Sequence, residues 1–74
     1  MIVELRSDPI KEILARKNMS QNCFAMRLGV SSGYMSQLMS GVRNPSPALR
    51  KKILAVLQMD ESGFDDLFAI KEME

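Results

Sequence analysis

The large apolar residues of this chain recur at intervals of three and four between evenly spaced helix signals, the pattern of short amphipathic helices. Asp8 followed by Pro9 predicts an N-cap with proline at the first helical position. Ile10, Ile13 and Leu14, with the stem of Lys17, then form a stripe that ends at Asn18, a residue suited to a left-handed helix end. Ser20 caps a second helix through Phe24, Ala25 and Leu28, with Met19 and Phe24 spaced for a hydrophobic staple and Gly29 as its stop. Ser31 opens a third helix, closed by Gly41. Arg43-Asn44-Pro45 cannot continue a helix, and Ser46-Pro47 opens a fourth with Leu49, Ile53, Val56 and Leu57 on one face. Phe64, Leu67 and Phe68 predict a fifth. The expected fold class is therefore all-α, a bundle of five short helices at about 9–17, 21–28, 32–40, 47–57 and 62–72, in one domain over residues 1–74. "IVEL" at residues 2–5 is the sole candidate strand, weak by itself, with the option of pairing across a dimer axis.

Composition narrows the chemistry. With one cysteine, Cys23, and no histidine, metal sites and histidine-based acid–base or nucleophilic catalysis lose most of their usual ligands and bases. No metal, cofactor, small-molecule substrate or enzymatic activity is expected. No apolar run approaches the ~20 residues that cross a bilayer, and Met1–Arg6 lacks the features of a secretory leader, so the expected setting is the reducing cytoplasm, without a membrane partner. The formal charge of +1 conceals a strong segregation. No acid stands between Ile13 and Met59, where seven basic residues (Arg16, Lys17, Arg27, Arg43, Arg50, Lys51 and Lys52) accumulate. The last fifteen residues carry −5, through Asp60, Glu61, Asp65, Asp66, Glu72 and Glu74 against Lys71. A basic middle beside an acidic end fits a polyanion-binding face turned away from its own acids.

The segment joining the second and third predicted helices is the most specific feature. Gly29 and Val30 alone separate Leu28 from the Ser31 cap, so two helices must diverge in a tight turn, where positive φ is cheapest at glycine. Ala25 supplies a small side chain for close crossing, while Phe24, Leu28, Val30, Met35 and Leu38 are the packing positions. The order S-Q-x-x-F-A-x-x-L-G-V-S-x-x-Y-M-S-x-L is a helix-turn-helix pattern. Residues 9–57 resemble the phage-repressor/Cro-type (XRE) helix-turn-helix family through "MSQNCFAMRLGVSSGYMSQLMSG", "RNPSP" and, more loosely, the segment beyond residue 57. The chain departs from that family's usual residues at Cys23, Met39 and Val42. The resemblance implies a lambda-repressor-like five-helix domain whose third helix enters the major groove of double-stranded DNA. It also implies phosphate contacts from Gln21 and from the Ser40–Asn44 region, including Arg43.

Projected at about 100° per residue, Ser32, Ser36, Ser40, Gly33 and Gln37 fall within an arc of about 140°, opposite Tyr34, Met35 and Leu38. Every residue on the first arc is small or polar and uncharged, as a helix sunk in a groove requires. A solvated helix face is the alternative, but such faces favour Glu, Lys and Ala, none of which is present here. Ser32, Gly33, Ser36 and Gln37 are the expected base contacts, with Gln37 able to pair with an adenine edge. Ser20, Gln21, Tyr34, Ser40, Arg43 and Asn44 are the expected backbone contacts, helped by the amides at the second helix's N-terminus. A homodimer on a palindromic operator, joined through Phe64, Leu67 and Phe68 of the acidic last helix, completes the expected repressor. Two other readings compete: an antitoxin-type regulator that also binds a toxin, and a helix-turn-helix adaptor that binds protein without DNA.

Overall fold

Arg6 decides where the first helix begins. In the computed structural model, which describes residues 1–72, its backbone N–H donates to the carbonyl of Leu67 at 2.7 Å and its guanidinium Nη1 to the carbonyl of Asp65 at 2.7 Å. These bonds end strand β1 (Ile2–Leu5) and start helix α1 at Ser7, running to Arg16. Asp8 is therefore inside the helix rather than its N-cap, and Pro9 occupies the first turn, where a missing N–H costs no intrahelical bond. Asn18 takes the left-handed conformation (φ +54°) just past the helix end.

Three serines start the next three helices by the same device, a hydroxyl oxygen accepting a backbone N–H three residues on. Ser20 accepts from Cys23 at 3.0 Å before α2 (Gln21–Leu28) and Ser31 from Tyr34 at 3.1 Å before α3 (Ser32–Ser40). Ser46 accepts from Leu49 at 3.2 Å before α4 (Pro47–Val56), with Pro47 at the first helical position. Helices α2 and α3 end on left-handed Gly29 (φ +76°) and Gly41 (φ +83°).

The acidic end departs from expectation. In place of one helix over 62–72, Asp60 caps a 3₁₀ turn (Glu61–Gly63) that runs into a single-turn helix α5 (Phe64–Leu67). The chain then extends as strand β2 (Phe68–Lys71), antiparallel to β1, with Ile2 opposite Lys71, Val3 opposite Ile70 and Leu5 opposite Phe68. Helical spacing of Phe64, Leu67 and Phe68 is real, but the open edge of "IVEL" captures the backbone after Leu67. A two-stranded ribbon thus closes the chain ends while the rest stays helical. Glu74, counted with the acidic end, lies outside the described residues.

Every helix and β2 contribute to one core: Ile10 and Leu14 from α1, Phe24, Ala25 and Leu28 from α2, Met35 and Leu38 from α3, Ile53 and Leu54 from α4, with Leu57, Leu67 and Phe68. Phe68 stacks on Phe64 with ring centroids 4.9 Å apart, tilted by 39°, a favourable offset for aromatic pairs. No polar or charged residue is buried among the described residues, so packing rests on apolar contact. Among those residues, no helix is long and apolar enough to cross a membrane.

Candidate nucleic-acid interface

The turn between α2 and α3 is built from local bonds. Gly29 N–H donates to the Met26 carbonyl at 3.1 Å and Val30 N–H to that of Ala25 at 3.0 Å, satisfying carbonyls that the helix end would leave open. Val30 then turns inward and Ser31 caps α3. The Lys52 ammonium lies against this turn, 3.3 Å from where a Cβ on Gly29 would stand, a cation at the negative end of α2. With Met35 and Leu38 wholly buried, α3 can only be seated one way.

That seating exposes Ser32, Gly33, Ser36 and Ser40, with Gln37 and Tyr34 half-buried at the margin. Nothing lies within 4 Å of the space a Cβ would fill at Gly33, so the helix backbone is open to close approach there. Ser32 and Gly33 stand apart from the side-chain hydrogen bonds that organise the rest of the face. Gln21 Nε2 donates to Ser36 Oγ at 3.4 Å, linking the start of α2 to the middle of α3. Ser40 Oγ donates back to the Gln37 carbonyl at 3.2 Å. Ser20 spends its hydroxyl on the cap, so its remaining asset toward an anion is the helix N-terminus it begins.

The loop after α3 returns to the same face. Left-handed Gly41 reverses the chain, and the N–H groups of Val42 and Arg43 both donate to the Gln37 carbonyl, at 3.0 and 3.2 Å. The Arg43 side chain then reaches Gln37 itself, Nε to Oε1 at 2.7 Å, while its guanidinium carbon sits 5.9 Å from the centre of the Tyr34 ring. Asn44 is exposed beside it. Farther along, Arg50 Nη1 donates to the Pro45 carbonyl at 3.0 Å and pins the loop to α4. Arg50 and Lys52 thus brace the interface from behind, a role that their position at a helix start does not disclose.

The residues expected at the dimer surface are placed differently. Leu67 and Phe68 are 0% and 2% exposed, and Phe64 is half-buried against Phe68. Leu67 and Phe68 are core residues, because the strand after Leu67 folds Phe68 inward, and Phe64 packs against that core at its edge. The exposed large apolar groups are Met1, Met26, Val42 and Ile70. Met39 packs against the core at its edge, and Cys23 is a partly exposed free thiol.

Taken together, the face is a helix-turn-helix unit whose outward helix is uncharged and whose rim is basic. The Helix-turn-helix family profile matches residues 10–64, from within α1 through α2, α3 and α4 to the first residue of α5. The chain belongs to the XRE family of helix-turn-helix proteins. In that family the unit is a DNA-binding element of transcription regulators, and this protein is a DNA-binding regulator of that kind. Among solved structures it is similar to the transcriptional regulator VanUg in its crystal form II. The TM-score is 0.71 at 19% identity, covering 97% of this chain and 92% of that one, a likeness of fold. No curated protein sequence is significantly similar to the chain.

Proposed function

We propose that the protein is a repressor that binds a short palindromic operator as a homodimer, each copy laying α3 into the major groove. The observation that carries this reading is the exposed arc of α3, where Ser32, Gly33, Ser36 and Gln37 offer small or hydrogen-bonding groups without charge. Ser32, Ser36 and Gln37 can bond base edges, and Gly33 leaves room for a thymine methyl. Around them, the N-terminus of α2 at Ser20 and Gln21, with Ser40, Arg43, Asn44 and the Tyr34 hydroxyl, supplies the backbone contacts that set register. Arg27, exposed in the last turn of α2, adds positive charge. With DNA as its partner, the protein works in the cytoplasm.

Dimerisation supplies what one module lacks, since a single recognition helix reads few base pairs and gathers few phosphate contacts. With Leu67 and Phe68 in the core, the two-fold contact falls to half-exposed Ile70, the outer face of Phe64 and the unpaired edges of the β1–β2 ribbon.

Random-site selection with purified protein at two salt concentrations tests the reading. The expected result is a palindromic consensus with half-sites about one helical turn apart, and affinity that falls as salt rises. Failure to enrich any sequence at low salt would overturn it in favour of a protein-binding adaptor.

A further inference from the structure

Gln37 and Arg43 are six residues apart, on a helix and in the loop beyond it, yet their side chains form one unit. Arginine Nε–H can only donate, so the group facing it at 2.7 Å must be the amide oxygen of Gln37 and not its nitrogen. The orientation of that amide is thereby settled by chemistry. The unit is braced on three sides: the Arg43 and Val42 backbones hang from the Gln37 carbonyl, the guanidinium lies near the Tyr34 ring, and Arg50 holds the loop through Pro45. Gln37 Nε2, in contrast, has no hydrogen-bond partner among the described residues.

An unrestrained glutamine offers a donor and an acceptor side by side, the match to adenine N6 and N7. Here the acceptor is held by a cation that repels the hydrogens of an adenine amino group. What Gln37 has left to offer a base is its amide NH₂, a donor only. In the major groove, guanine presents two adjacent acceptors, O6 and N7. We infer that Arg43 is a positioning residue that turns Gln37 from an adenine reader into a guanine reader, so that the pair, and not Gln37 alone, determines specificity at one position of each half-site. The inference rests on the reading of α3 as the base-reading helix, and deepens it. It gives Arg43 a role beyond the backbone contact, whose loss alone would weaken all sequences alike.

The test is site selection with the full chain as wild type, Gln37→Ala and Arg43→Ala, followed by affinity measurements on guanine and adenine versions of the selected site. Wild type is expected to select guanine at one position per half-site, and Gln37→Ala to lose preference at that position alone. Arg43→Ala is expected to lower the guanine-over-adenine ratio there by roughly fivefold or more, the scale of one good bidentate contact. Both side chains lie at the surface, and circular dichroism verifies that the variants fold. A second readout needs no DNA: in ¹H–¹⁵N spectra of the free protein, Arg43→Ala should move the Gln37 side-chain amide signals and leave those of Gln21 in place. Adenine at the Gln37-dependent position, or an unchanged guanine-over-adenine ratio in Arg43→Ala, would overturn the inference and leave base reading by α3 intact. A Gln37→Ala protein with the wild-type consensus at every position would instead remove Gln37 from base reading altogether.

Discussion

At the scale of single residues, Gly29 shows how little freedom the turn allows. Its φ of +76° is strained for any residue with a Cβ, and a Cβ there would also press to 3.3 Å on the Lys52 ammonium. The lysine end can swing aside, whereas the backbone cannot. Gly29→Ala is therefore expected to cost about 1 kcal/mol or more, seen as a melting temperature lowered by roughly 4–8 °C. Residue chemistry of this kind was legible in the sequence. The three serine caps, the two glycine stops and left-handed Asn18 each depend on a side chain, or its absence, acting on backbone within a few residues. The Gln37–Arg43 pair was not legible as a pair. Its one local clue is Gly41, whose reversal brings residue 43 back over residue 37, but the side chains meet only once Tyr34 and the loop braced by Arg50 are in place.

At the scale of elements, the acidic end carries the main revision. Asp60 starts it: its carboxylate takes hydrogen bonds from the Ser62 hydroxyl and the Ser62 N–H, which lower its pKa below the usual carboxylate range. A depressed folded pKa means stability that is present above the unfolded value of about 3.9 and is lost as pH falls through the folded one. Asp60→Asn is thus expected to melt below wild type at neutral pH, and the gap should narrow as the pH falls below the unfolded carboxylate value and through the lowered folded one. Thermal melts across that range measure it. The path of the chain beyond Asp60 could not be read locally. Phe64, Leu67 and Phe68 have helical spacing, and "IVEL" and "FAIK" are too short to declare themselves as strands. Each strand exists because the other is there, and residues at opposite ends of a sequence announce no such pairing.

At the scale of the whole molecule, the same revision moves the contact surface of the proposed dimer. Ile70 stands on β2 at 52% exposure, whereas Leu67 and Phe68 are inside. Ile70→Glu is expected to shift sedimentation from dimer to monomer with the far-ultraviolet spectrum unchanged; a dimer of undiminished stability would remove Ile70 from the contact. Charge segregation also acts at this scale. Two copies that together neutralise about six phosphates should lose roughly a thousandfold in affinity between 50 and 200 mM salt. Titrations at both concentrations check this, and a flat response would remove the basic rim from the binding account.

The helices with strong caps, the glycine turn of the helix-turn-helix and the uncharged arc of α3 were set by the order of residues alone. These are consequences of interactions between near neighbours and of which residues are apolar. Packing in three dimensions was needed for the β1–β2 ribbon, the early start of α1 on the Leu67 and Asp65 carbonyls, the burial of Leu67 and Phe68, and the clasp of Arg43 on Gln37. Each of these joins groups whose meeting depends on how several elements come together, and a free backbone edge or a mobile side chain takes the partner that packing brings to it.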